Sequence, residues 1–371
     1  MTATLSSGGR DEPQARHGFH DPRMLARLGA AGSLALLIGS LGAGVMPGYD
    51  LIAHVPVLSV FRSGPLGLRA AMGLVYVGLA LMIGAWLLIG RALLDPARRA
   101  EIDLPLLRRT LLLWAIPLLA CAPLFSRDLY AYAAQAQLAH AGLNPYRATP
   151  ADLPGRFLDE VAWRWVDSPA PYGPLWLMLG RLVAATAGEG VLRTVIGIRL
   201  LCAAGFALMV WLLPRLARLA GGRAELALWL GALNPLVLIQ FVAGGHNDAL
   251  MIGLGVAGLT LAASADGQTP GDWRMLRHWG GWRGDPARLA GGSALIAAAI
   301  AVKSPAAVML AFAPLLWLRR RGRIDDPGEW ALSCLIAVGS AAAAFAALTG
   351  ASGLGLGWVT QVYRGIPTVN W

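Results

Sequence analysis

Charge is what this chain has least of. Charged residues make up 14% of its 371 positions, against roughly 25% in soluble domains. Mean hydropathy is +0.57. This excludes a soluble enzyme and leaves a polytopic membrane protein. Lysine is nearly missing too: Lys303 stands alone, and every other cation is arginine. The three cysteines, Cys121, Cys202 and Cys334, lie inside apolar runs. They show no disulfide or metal-ligand spacing, and buried thiols of this kind usually fill space. No cleavable leader is expected at the start of the sequence, because residues 1–23 are polar and the first apolar run begins near Met24. No internal repeat is evident. Gly353, Gly355 and Gly357 neither follow a strand nor open a clear helix, so they are no dinucleotide loop. The net charge of +10 raises nucleic acid as a partner. The basic residues cluster in short loops, where membrane topology accounts for them, so no nucleic-acid partner is expected.

What is present is a series of apolar runs: 24–46, 70–94, 110–124, 191–213, 225–242, 249–263 and 330–348, plus the pair 289–302 and 306–318. Judged against the ~20 residues of a spanning helix, they predict an all-α polytopic protein with about nine membrane segments. Residues 1–23 read as a disordered cytoplasmic tail, and residues 24–371 as one transmembrane domain. With the N-terminus inside, the clusters Arg10–Arg16–Arg23–Arg27, Arg91–Arg98–Arg99–Arg108–Arg109, Arg215–Arg218–Arg223, Arg274–Arg277–Arg283–Arg288 and Arg319–Arg320–Arg321–Arg323 all fall inside, as the positive-inside rule requires. Asp128, His246, Asp248, Lys303 and Arg364 then fall outside together. The one large polar segment, 126–190, is an outer loop. Within it 129–141 and 175–187 read as interfacial helices, and Trp163, Trp165 and Trp176 suit the headgroup layer.

Five stretches stand out: FSRDLYAYAAQ (125–135), GLNPY (142–146), DSPAPYGPLW (167–176), NPLVLIQFVAGGHNDALM (234–251) and VKSPAAVML (302–310). In this order and spacing the chain resembles the GT-C superfamily of membrane glycosyltransferases. More narrowly it resembles the actinobacterial polyprenyl-phosphomannose-dependent α-1,6-mannopyranosyltransferases of lipomannan assembly (MptA/MptB type). The resemblance implies a GT-C fold in the plasma membrane with its site on the extracytoplasmic face. It implies a polyprenyl-phosphomannose donor, a lipid-linked mannan acceptor, and no cofactor besides the donor. Members of that family continue for several more membrane helices, so it also implies a chain shortened at its C-terminal end. Mannose itself comes only from the resemblance. A GT-C transferase moving arabinose or glucose to a cell-wall polymer, or a transporter or flippase of lipid-linked sugars, is the alternative.

Transfer from a β-linked lipid phosphate to an α-linkage inverts the anomeric carbon. It needs one base on the acceptor hydroxyl and positive charge or donors on the leaving phosphate. The family places a catalytic aspartate where Asp128 stands, although Asp128 could also cap the helix that follows. Arg127 reads as a phosphate contact or a headgroup anchor. His246 reads as a phosphate donor at a helix N-terminus, where Asn247 or Asp248 could equally be a cap. Lys303, in an apolar hairpin, and Arg364 are further phosphate candidates; Lys303 could instead snorkel. Sugar or acceptor contacts are assigned to Tyr130, Tyr132, Asn144, Tyr146, Asp167, Tyr172, Asn247 and Asp248. Asp167 also suits an Asx-turn, and Asn144 and Tyr146 could merely end a helix before Pro145. No metal is expected, since one His and one Asp at this spacing make a poor ligand set.

Overall fold

The computed structural model describes residues 21–48, 61–62, 64–264 and 285–364, with side chains to residue 361. Most of the polar tail and the basic segment holding Arg274, Arg277 and Arg283 lie outside the described residues. The described residues form helices and turns, with no strand among them. The longer helices are α1 (Pro22–Ala43), α2 (Pro65–Leu94), α3 (Leu104–Leu119), α4 (Asp128–His140), α5 (Pro174–Ala187), α6 (Val191–Leu219) and α7 (Ala224–Gly231). The short α8 (Pro235–Leu238) runs on into a π-helical turn, Ile239–Ala243. Then come α9 (Asp248–Ala262), α10 (Asp285–Ile300), α11 (Phe312–Arg321), α12 (Pro327–Ser352) and α13 (Gly357–Arg364). Proline opens α1, α2, α5, α8 and α12, where the ring is pre-set for the helix and the missing N–H has no partner to lose.

Among the described residues four helices, α1, α2, α6 and α12, are long and apolar enough to cross a membrane. The pair α7–α8 passes together, bent by 55° at its break. The remaining apolar runs make shorter helices, for local reasons. Pro117 sits at the end of the 16-residue α3. Asp248 opens the 15-residue α9. After Lys303 the chain forms a 3-10 turn (Ser304–Ala306), a four-residue helix (Ala307–Leu310) and then α11, so the run 306–318 is not one helix.

Small residues bring the helices into contact, as in other membrane bundles. A Cβ on Gly258 of α9 would sit 2.4 Å from the Gly292 carbonyl of α10, and the reverse holds equally. Trp86 of α2 and Trp229 of α7 stack with ring centroids 4.8 Å apart, and each indole N–H donates to the other's carbonyl, at 3.1 and 2.9 Å. At one end of the bundle Arg320 and Arg321 of α11 hold Asp285 of α10, and Arg321 also reaches Glu329 of α12.

The outer-loop segment departs from the interfacial expectation. In α4 every residue from Leu129 to Ala139 is buried, because its alanines let neighbours close on all sides. Trp176 is 2% exposed and packs in the interior, whereas Trp163 is exposed as expected.

Candidate active site

The site is built from three turns. The first follows α3. The chain passes Phe125, the only non-glycine among the described residues with positive φ, at +66°. Ser126 Oγ then accepts the Asp128 N–H at 3.0 Å, so a serine starts α4 and the Asp128 carboxylate caps nothing. That carboxylate faces His246 instead, with Oδ2 3.5 Å from Nδ1.

The second turn follows the π-helical end of α8. Gly245 has φ +63°, and a Cβ there would sit 2.9 Å from Leu129. Only glycine combines that backbone with so close an approach to α4, and the approach carries His246 to Asp128. Burial holds the imidazole below its usual proton affinity of 6.5, against the opposing pull of Asp128 and Asp248. The ring is therefore neutral, and its Nε2 is buried without a partner. Asn247, fully buried, accepts from the Tyr132 hydroxyl at 3.4 Å. Asp248 does not cap α9 either; its Oδ2 lies 2.7 Å from Lys303 Nζ.

The third turn carries Lys303. Gly173 N–H donates to Val302 O at 3.1 Å and Leu175 N–H to Ala301 O at 2.9 Å. These bonds seat the proline-rich motif on the lysine turn. Tyr172 and Trp176 then meet Tyr132 edge-on, at 5.2 and 5.1 Å between centroids. Burial, with Asp128 nearby, raises the proton affinity of both tyrosines, so both phenols remain hydrogen-bond donors. The charged members stay reachable: side-chain exposure is 26% for Asp128, 28% for Asp248 and 30% for Lys303.

Asp128, His246, Asp248 and Lys303 thus converge with Tyr132, Tyr172 and Asn247. The other candidates do not join them. Asp167 is exposed and takes no part in these ion pairs. Tyr130 donates to Val45 O at 2.8 Å. Asn144 spends its amide on the Tyr146 N–H at 3.0 Å and on Leu354 O at 3.3 Å. Tyr146 is buried against Gly357, its carbonyl accepting from Gln361 at 3.1 Å. Arg127 is exposed, and the side chain of Arg364 lies outside the described residues. Under the site, Arg199 escaped the sequence reading, and Cys202 was read only as a space-filling thiol. Arg199 and Cys202 of α6 donate to backbone carbonyls of the turns that carry Asp128 and His246. The available signal was an arginine inside an apolar run.

A carboxylate open to one side, a neutral imidazole behind it and an ammonium nearby can together accept a proton and hold an anion. Comparison with known proteins gives this set a setting. Residues 26–319 match the family described as alpha-(1->6)-mannopyranosyltransferase, N-terminal domain. The chain is 36% identical over 353 residues to alpha-(1->6)-mannopyranosyltransferase A of Mycobacterium tuberculosis, covering 93% of this chain and 62% of the relative. It is 36% identical over 345 residues to a probable alpha-(1->6)-mannopyranosyltransferase of Mycolicibacterium smegmatis, covering 89% and 60%. It is 31% identical over 360 residues to alpha-(1->6)-mannopyranosyltransferase A of Corynebacterium glutamicum, covering 90% and 67%. It therefore spans about 60% of the length of the first two. No solved structure matches. The chain belongs to the alpha-(1->6)-mannopyranosyltransferase family, whose N-terminal domain it matches over most of its length.

Proposed function

We propose that this chain transfers mannose from polyprenyl-phosphomannose to a lipid-linked mannan, with inversion, on the outer face of the plasma membrane. Asp128 accepts the proton of the attacking mannan hydroxyl. That oxygen bonds to the anomeric carbon as the bond from carbon to phosphate oxygen breaks, and polyprenyl phosphate leaves. The leaving phosphate keeps its negative charge and takes no proton, so it needs a cation rather than an acid. Lys303 supplies it, held by Asp248 until the donor arrives. His246 lies behind Asp128 and steadies the carboxylate through the N–H of its neutral ring. Tyr172 offers its hydroxyl to the sugar, while the Tyr132 hydroxyl is donated to Asn247.

The observation that supports this reading best is the placement of Asp128: partly open, 3.5 Å from His246, in one cluster with the Lys303–Asp248 pair. The test is mannose transfer from synthetic polyprenyl-phosphomannose to a short α-1,6-mannoside in membranes, comparing wild type, Asp128→Asn and Asp167→Asn at equal expression. A general base is worth about 10²–10⁴-fold, so Asp128→Asn should lose about three orders of magnitude while Asp167→Asn stays near wild type. Full activity in Asp128→Asn would remove the base assignment. No transfer by wild type, with transfer from an arabinose or glucose donor in the same membranes, would replace the sugar.

A further inference from the structure

Arg199 lies eight residues into α6 from Val191, about 12 Å along the helix axis, inside an apolar run. A cation so placed is costly in a membrane helix unless it is paired, yet among the described residues no carboxylate pairs with it. It is 9% exposed, and its partners are carbonyls. Nη1 donates to Leu119 O at 3.2 Å and to Cys121 O, and Nη2 donates to Ala243 O at 2.8 Å. Those carbonyls belong to two different segments. Leu119 ends α3, and Leu119 and Cys121 lead into the turn that carries Asp128. Ala243 ends the π-helical turn and leads to His246. One turn further along α6, the Cys202 thiol donates to Gly245 O at 3.1 Å, so the same face of α6 grips the second segment twice.

The Asp128 turn needs holding. Phe125 sits in the left-handed region at φ +66°. A non-glycine residue keeps such a conformation only where its surroundings impose it. Arg199 anchors the foot of the turn. Ser40 Oγ accepts the Ala122 N–H at 3.1 Å, and Pro123 O accepts the Val45 N–H at 3.0 Å. A planar guanidinium can bridge carbonyls on two segments with fixed geometry, which a lysine ammonium cannot do.

We infer that Arg199 is a positioning residue for glycosyl transfer: by gripping the feet of both turns it sets the separation of Asp128 and His246. This rests on the reading of Asp128 as the base. Arg199 itself touches no substrate.

The test measures kcat and donor KM in membranes for Arg199→Met, Arg199→Lys and Asp128→Asn, and for Arg199→Met placed in the Asp128→Asn chain. Misplacing a reacting group by about 1 Å costs about 10²-fold, so each Arg199 variant should lose about that much kcat with donor KM changed less than about threefold. In the Asp128→Asn chain the same substitution should cost less than about threefold, because groups acting as a unit are not additive. Guanidinium ion added to Arg199→Ala should recover part of the loss. If Arg199→Met does not fold, Arg199→Lys and the guanidinium rescue carry the test. A merely structural arginine would lower activity equally in both backgrounds and leave kcat per folded molecule unchanged, and either result overturns the inference. Wild-type activity in Asp128→Asn would instead overturn the base reading on which the inference stands.

Discussion

Gly173→Ala should damage the site without touching a charged residue. A Cβ at Gly173 would lie 2.3 Å from Ala301 O and 2.5 Å from its carbonyl carbon, where ordinary contact begins at 3.4 Å. The obstacle is backbone, so it cannot rotate away. The start of α5 and the Lys303 turn must separate by about 1 Å. That weakens the three bonds that join them, Gly173 N–H to Val302 O and the Leu175 and Trp176 N–H groups to Ala301 O. Overpacking costs about 1–3 kcal/mol, and each loosened bond about 0.5–1.5 kcal/mol. Tyr172 and Lys303 move apart with their turns, so kcat/KM should fall about 10²-fold, equivalent to ~2.7 kcal/mol of activation free energy. Gly180→Ala is the control. It lies on the same helix, and its Cβ would meet Ala136 alone, the Cβ at 3.3 Å and the Cα at 3.7 Å. There the propensity gain of about 1 kcal/mol offsets a small packing cost, and activity should hold within about threefold. Both variants are assayed for mannosyl transfer and for thermal unfolding in detergent. Wild-type kcat/KM in Gly173→Ala would refute the claim that this junction sets the site. Equal losses in both variants would show a general helix effect instead.

Two further outcomes follow from the charged groups. On the proposed reaction, Lys303→Met should weaken inhibition by polyprenyl phosphate about tenfold, or ~1.4 kcal/mol; an unchanged inhibition constant would mean that the lysine does not meet the phosphate. His246 should make the fold acid-sensitive. Burial lowers its proton affinity below 6.5 in the folded chain. As pH falls through 6.5, the unfolded chain takes up a proton that the folded chain refuses, so stability is full above that pH and declines below it. Thermal midpoints measured at about pH 7.5 and about pH 5.5 should therefore differ more in wild type than in His246→Gln; equal differences would contradict a buried neutral ring.

The charged members of the site were legible because each is out of place. Asp128, Asp248 and Lys303 are charges at the ends of apolar runs, and such groups carry their reason with them. Their partners were less legible. Nothing in the local pattern says that Asp248 rather than a phosphate faces Lys303, or that His246 faces Asp128. Asn144 and Tyr130 looked like sugar contacts because they are polar groups close in sequence to Asp128. Their bonds to Leu354 O and Val45 O span 210 and 85 residues, which no periodicity reports. The helices themselves were mostly legible as apolar runs, but their lengths were not. A hydropathy window does not see Pro117 close α3 or the break after Lys303 divide a run. The full burial of α4 was hidden for a related reason, since alanines read the same whether they face solvent, lipid or another helix.

The seam between the turn at 172–175 and the turn at 301–303 also bears on how the molecule comes to exist. Ribosomes deliver Asp128 long before Lys303, and the backbone bonds that seat Tyr172 need carbonyls from Ala301 and Val302. Until residues 301–303 have been made, Asp248 has no cation beside it and Tyr172 has no seat. The junction can close only late, once the turn carrying Lys303 packs against α5.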